Sequence, residues 1–255
     1  MYSISLFSPL EQFEIYPLLS LDLPLFGYCE FAITNIAVYF SIAVLTIVGL
    51  SVLTTNNFKL ISNGWNLSTE SLYHTVLNVV ENQIGRKGYI YFPLIYSLFV
   101  FVLVANFIGM IPYSFAVTSH LVFTVALSLT ILLGVTFLGL YLHGLKFFSF
   151  FVPSGVPMVL IPFLTAIELI LYLSWGLSLG IRLGANVMAG HMLMKILAGF
   201  IFNIMVSGIL LFVLGLLPLA ILIAIAGLEL AIAFIQAYVF VVLTSSYIKD
   251  SIYLH

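Results

Sequence analysis

The chain has 255 residues, of which 63% are hydrophobic and only 6% charged, against about 25% charged in a soluble domain. Its net charge is −2, so no polybasic surface advertises nucleic acid, and the single cysteine, Cys29, excludes an internal disulfide. Its five histidines are scattered, which leaves no metal-ligand cluster. A bilayer is the main solvent for such a chain. Spans are read as runs of about 20 apolar residues. Residues 1–30 form a mixed segment whose only charges are Glu11, Glu14, Asp22 and Glu30. Met1 to Leu10 contain no Lys or Arg and resemble neither a secretory leader nor a transit peptide. Insertion is therefore expected where the chain is made, or through its internal segments. The first span is predicted at 31–53, followed by a polar stretch, 54–64. Over 67–84, Leu72, Val76, Val79, Val80 and Gln83 alternate with Glu70, His74, Asn78 and Glu81. That pattern predicts an amphipathic helix on the membrane surface, with Ser68 or Thr69 as N-cap.

A second span is predicted at 91–111, closed by Pro112, and a third at 119–142. A Pro- and Gly-rich turn follows over 153–162. The last two runs, 160–209 and 216–248, are too long to cross about 30 Å upright at about 1.5 Å per residue. They are expected as two long tilted or bent helices forming a hairpin, joined over 210–218, with Pro218 opening or kinking the last one. Four short spans are the alternative, but no charged or turn-rich connector interrupts either run. The expected fold is one all-α polytopic membrane domain, 1–255: three upright transmembrane helices, one surface helix and the long pair.

Five crossings place Lys59, Arg86, Lys87, Lys146 and Lys249 on one side, and leave the acidic N-terminal segment on the other. The positive-inside rule then puts the C-terminus on the cytoplasmic or matrix side and the N-terminus outside.

Arg182 stands in an apolar run, where an arginine costs from about 2.5 to well over 10 kcal/mol at the bilayer centre. It stays charged, since its pKa lies above about 12. Ser174, Ser178, Arg182, Asn186 and Gly190 recur every four residues and draw a polar or small stripe along one helix side. Snorkelling to the headgroups is the plain alternative. Gly176, Gly180 and Gly184 form a small-residue series on the face away from Arg182, which predicts close helix packing. Arg182 and His191 are about 13 Å apart along an ideal helix and nearly opposite in rotation. Glu168 lies about 21 Å before Arg182, within roughly 40° of its face. Glu229 and Gln236 share a face of the last helix.

Titratable groups thus flank a permanent cation. Chains of Glu and His inside membranes mark proton relays, and a fixed positive charge blocks proton passage. Plainer readings remain: Glu229 as a counter-ion for Arg182, His191 as a hydrogen bond between helices, Glu168 as an interfacial residue. Lys195 is assigned no role. No Gly-rich phosphate loop follows a strand, so no nucleotide chemistry is expected of this chain alone. A secondary transporter with a midplane site is the rival class, although no internal repeat is seen.

The segment Leu179-Gly180-Ile181-Arg182-Leu183-Gly184-Ala185-Asn186 through Ala189-Gly190-His191 resembles the signature of subunit a of F-type ATP synthases. So do Glu229 to Tyr247 with Gln236-Ala237-Tyr238-Val239, Ala105-Asn106 with Met110-Ile111-Pro112-Tyr113-Ser114, Ser8-Pro9-Leu10-Glu11-Gln12-Phe13-Glu14, and Tyr247-Ile248-Lys249-Asp250. The likeness runs along the whole chain and is to fungal mitochondrial members. It implies that Arg182 faces the carboxylates of a rotating c-ring. It implies that Asn186, His191, Glu229 and Gln236 line a half-channel from the intermembrane space, and Glu168 and Asp250 one to the matrix. It further implies the mitochondrial inner membrane as location, no cofactor, and a peripheral stalk, other membrane subunits and a dimer of complexes as partners. Some fungal members lose a short N-terminal leader, for which Phe7–Ser8 is the candidate position here, although the sequence itself shows no cut.

Overall fold

The computed structural model describes residues 10–23, 29–55, 64–111, 114–152, 157–158 and 160–253. The Phe7–Ser8 cut, Lys59, Pro112 and Tyr113 lie outside the described residues. The elements are β1 (Pro17–Leu23), β2 (Cys29–Thr34), α1 (Asn35–Thr55), α2 (Gly64–Gln83), α3 (Phe92–Gly109), α4 (Leu121–His143), α5 (Ile161–Val206) and α6 (Ile209–Ile252). Short 3-10 turns occupy Glu11–Phe13, Arg86–Ile90, Val117–Ser119 and Gly144–Phe151. Helices α1, α3, α5 and α6, and α4 with the turns after it, are each long and apolar enough to cross a membrane. The chain is an all-α polytopic membrane protein carrying one short hairpin.

That hairpin corrects the first expected span. Residues 31–34 belong to β2, which pairs antiparallel with β1 in the register Leu19↔Ile33, Leu21↔Phe31 and Asp22↔Glu30. Apolarity alone does not separate a short strand from a helix start, and the β-branched Ile33 and Thr34 suit the strand. Asn35 sets the boundary. Its backbone N–H donates to Tyr16 O, its side-chain amide donates to Glu14 O at 2.9 Å, and its Oδ1 accepts from the Ile36 N–H at 3.0 Å.

The surface helix begins at Gly64 rather than 67, so neither Ser68 nor Thr69 is an N-cap. Both sit inside the helix, where Ser68 Oγ donates to Gly64 O at 3.0 Å and Thr69 Oγ1 to Asn66 O at 3.0 Å. Val76, Val79 and Val80 are buried while Glu70, His74, Asn78 and Glu81 are exposed. Gly85, at φ 79°, closes this helix, its N–H bonding to Glu81 O and Val80 O in a geometry that glycine adopts without strain.

The long pair is also joined earlier than expected. The break is at Ser207–Gly208, not over 210–218. Ser207 Oγ donates back to Asn203 O at 2.6 Å, and Gly208, at φ 156°, takes the chain out of the helix. Pro218 therefore lies well inside α6, where its missing N–H removes one helical bond. At its other end α6 extends past 248 to Ile252.

The chain forms two compact units. One comprises Met1–Gly49, Phe101–His120 and Ala185–Ile235: the hairpin, most of α1, the end of α3, and the later part of α5 against the early part of α6. Here Phe40 packs on Phe101 and Tyr39 on Phe115. His120 stacks on Phe115 at 5.1 Å, and burial holds its pKa below the ordinary histidine value. The other unit comprises Leu50–Val100, Leu121–Gly184 and Gln236–His255. Its core includes Val80, Ile95, Phe99, Leu179, Leu183, Phe240 and Val241.

Candidate functional site

Arg182 lies near the middle of α5 and is exposed, as are Ser178 and Ser174 one and two turns before it and Asn186 one turn after. Its Nη2 donates to Ser178 Oγ at 3.4 Å. The opposite face is shut. Leu179 and Leu183 are buried, and Gly176, Gly180 and Gly184 meet α4 directly. A Cβ at Gly180 would stand 2.7 Å from Thr124 O and from Val125 Cα, and one at Gly184 2.7 Å from Thr124 Oγ1. Only glycine lets two helices approach so closely. The rotation of α5 is thereby set, and Arg182 is held outward rather than turned into the packed interior.

In the same unit, α5 and the last turns of α6 run antiparallel. Trp175 stacks on Tyr247 with ring centroids 6.0 Å apart, and Tyr247 Oη donates to Trp175 O at 3.4 Å. Asp250 lines a small pocket with Tyr172, Trp175, Tyr247 and Ser251, walled by Phe147 and Phe150. Glu168 is half-exposed on the first turns of α5 and makes no hydrogen bond or ion pair among the described residues. Gln236 is buried. Tyr172 and Trp175 escape the sequence reasoning, and Tyr247 enters it only within a motif, because aromatic residues in an apolar helix are the default filling of a core.

In the other unit, α5 and α6 again run antiparallel, and they bring His191 to Glu229. Nε2 and Oε1 are 3.9 Å apart. Glu229 is 7% exposed, and neither of its oxygens nor His191 Nε2 has a hydrogen-bond partner among the described residues. That separation is beyond hydrogen-bond range and within that of an ion pair. Gly190 makes the room for the carboxyl: a Cβ at that position would stand 2.6 Å from Glu229 Oε1. One turn beyond Glu229, the Ala233 carbonyl accepts from Asn106 Nδ2 at 3.3 Å, and Asn106 is itself 1% exposed. Sequence reasoning quotes Asn106 only within a motif and misses this bond. An asparagine in an apolar span was the available signal, since a buried amide needs a partner.

The two clusters share a chemistry. Each sets a carboxyl group near a second titratable side chain, His191 beside Glu229 and Tyr172 and Tyr247 around Asp250. A family model described as ATP synthase A chain matches residues 36–249. An ATP synthase subunit a of Emericella nidulans is 59% identical over 249 residues, covering 97% of each chain. One of Neurospora crassa is 56% identical over 254 residues, 99% of this chain and 97% of its own. Another, of Wickerhamomyces canadensis, is 51% identical over 256 residues and covers both chains completely. On this match, which takes in α1 through nearly all of α6 and every site residue but Asp250, the chain belongs to the ATP synthase A chain family.

Proposed function

We propose that the chain is the proton-conducting stator subunit of an F-type ATP synthase, working in the mitochondrial inner membrane through two offset half-channels. The observation that carries this reading is the arrangement of Arg182. An obligate cation sits exposed on a polar stripe of an apolar helix whose opposite face is locked by glycines on α4. Such a charge needs a partner at that surface, and the c-ring carboxylate is the partner the family suggests. A proton enters by way of Asn186, His191, Glu229 and Gln236, and neutralises a ring carboxylate. The neutral site passes into lipid, where the charged one would be expensive. After rotation it releases its proton toward Glu168 and Asp250 on the matrix side. Arg182 pairs with the ionised carboxylate and closes the direct route between the half-channels. The potential supplies about 2.3 kcal/mol per charge per 100 mV, so several protons per turn drive rotation. Nucleotide catalysis belongs to other subunits. The N-terminus faces the intermembrane space and the C-terminus the matrix. The peripheral stalk and other membrane subunits hold the chain still, and complexes pair as dimers.

The test is Arg182→Ala and Arg182→Lys in the assembled complex. Both are expected to abolish ATP-driven proton pumping and ATP synthesis, the lysine because it loses its proton when desolvated. Coupled synthesis at the normal rate in either variant refutes the reading.

A further inference from the structure

We propose that the cleft between α3, α4 and the end of α6 holds one acyl chain of an anionic phospholipid, with its phosphate against Arg86, Lys87 and Lys249. The cleft has about 460 Å³ of room, within the roughly 300–1,000 Å³ typical of small-ligand sites. Besides Tyr91 at its end, three hydroxyl residues line it, Ser97, Thr130 and Thr244. Each donates to a carbonyl of its own helix, Leu94 O at 2.8 Å, Leu127 O at 2.7 Å and Phe240 O at 2.8 Å. With these three donors turned inward, the body of the cleft offers mostly hydrocarbon. The α4 part of the lining runs from Leu127 to Leu138, about 16 Å of helix, close to the roughly 15 Å of one leaflet.

Charge sets the class of lipid. The cleft ends at Tyr91 and Ile248. Tyr91 directly follows the 3-10 turn that carries Arg86 and Lys87, and Lys249 directly follows Ile248. Lys87 Nζ lies 5.2 Å over the Tyr253 ring, which draws the two basic segments together. All three cations are exposed and none forms an ion pair among the described residues. A phosphate at this mouth supplies the missing anion.

Gly134 lines the cleft, and a Cβ there meets nothing within 4 Å. Gly134→Leu therefore starts its side chain in open space and sends its branches into the cleft. The full chain in detergent is offered phosphatidylglycerol or phosphatidylcholine of equal acyl composition, and retained lipid is read by native mass spectrometry. Wild type is expected to keep one phosphatidylglycerol. Gly134→Leu is expected to lose at least about tenfold in retention, the equivalent of some two buried methylenes. The triple variant Arg86→Gln, Lys87→Gln, Lys249→Gln is expected to keep lipid but lose the preference for phosphatidylglycerol. Undiminished retention by Gly134→Leu, or no lipid preference in wild type, overturns the proposal. A second measurement needs no variant: phosphatidylglycerol with a photoreactive acyl end is crosslinked to the intact complex. Adducts are expected within residues 94–98 and 127–138. If the acyl probe never reaches these peptides because a helix of a partner subunit covers the cleft, the proposal fails.

Discussion

Gly190 shows how tightly the Glu229 carboxyl is placed. A methyl at position 190 would fall 2.6 Å from Oε1 and 2.8 Å from Cδ of Glu229, inside any ordinary contact. The side chain would have to swing, and its 3.9 Å relation to His191 would change. Gly190→Ala is thus expected to lower proton flux through assembled complexes while leaving both helices intact. Glu229→Gln should lower it too, because the amide keeps the shape but cannot titrate. Proton-transfer groups are worth about 10²–10⁴-fold where they act, so a loss of at least about tenfold is expected in each. The pair should not be additive: once Glu229 is Gln, adding Gly190→Ala should remove little more. Flux measured per assembled complex across pH checks this. Lost assembly with normal flux per complex would make Gly190 a packing residue and Glu229 a structural one.

At the level of elements, the glycines of α5 divide into two kinds, and substitution separates them. Gly180 faces α4 backbone, with Thr124 O and Val125 Cα both 2.7 Å from a notional Cβ. Backbone cannot give way as a side-chain tip does, so Gly180→Ala should push α5 off α4 and cost about 1–3 kcal/mol, as overpacked cores do. Gly199 meets nothing within 4 Å, so Gly199→Ala should leave stability unchanged or raise it slightly, alanine being the better helix former by about 1 kcal/mol. Thermal unfolding of the two purified variants checks the contrast; equal midpoints would mean that α5 and α4 do not depend on close approach. The Gly176–Gly180–Gly184 series is legible in the sequence because small residues at four-residue spacing have one common use. The hairpin over Pro17–Thr34 is not legible, since it pairs residues through backbone bonds that leave no periodic mark in so short a segment. The helix break at Ser207–Gly208 is hidden as well: proline and apolar length point to the wrong side of it, and the actual stop is one serine bonding backwards and one glycine at positive φ.

For the whole molecule, apolar length marks the membrane spans because the bilayer imposes it on every crossing helix. Polarity in that setting likewise marks Arg182, His191 and Glu229. Partners distant in sequence are what it leaves unmarked, since His191 reaches Glu229 and Asn106 reaches the Ala233 carbonyl only through tertiary packing. Charge adds a further division. Arg86, Lys87, Lys146 and Lys249 all belong to the unit that holds Glu168 and Asp250, while the acidic Glu11 and Glu14, together with Lys195 inside α5, belong to the unit that holds His191 and Glu229. On the orientation proposed from the positive-inside rule, Glu168 and Asp250 should answer to matrix pH and Glu229 to the pH of the intermembrane space. On the proposed mechanism, proton uptake at a half-channel depends on the compartment it opens to, with Arg182 dividing the path between them. Reconstituted complexes with independent pH on each face, carrying Glu168→Gln or Glu229→Gln, should show this directly. ATP synthesis in the Glu168 variant should shift its dependence on matrix-side pH and keep the wild-type response on the other face. The Glu229 variant should do the reverse. If both respond to the same face, a single continuous path replaces the two half-channels, even though the family assignment is untouched.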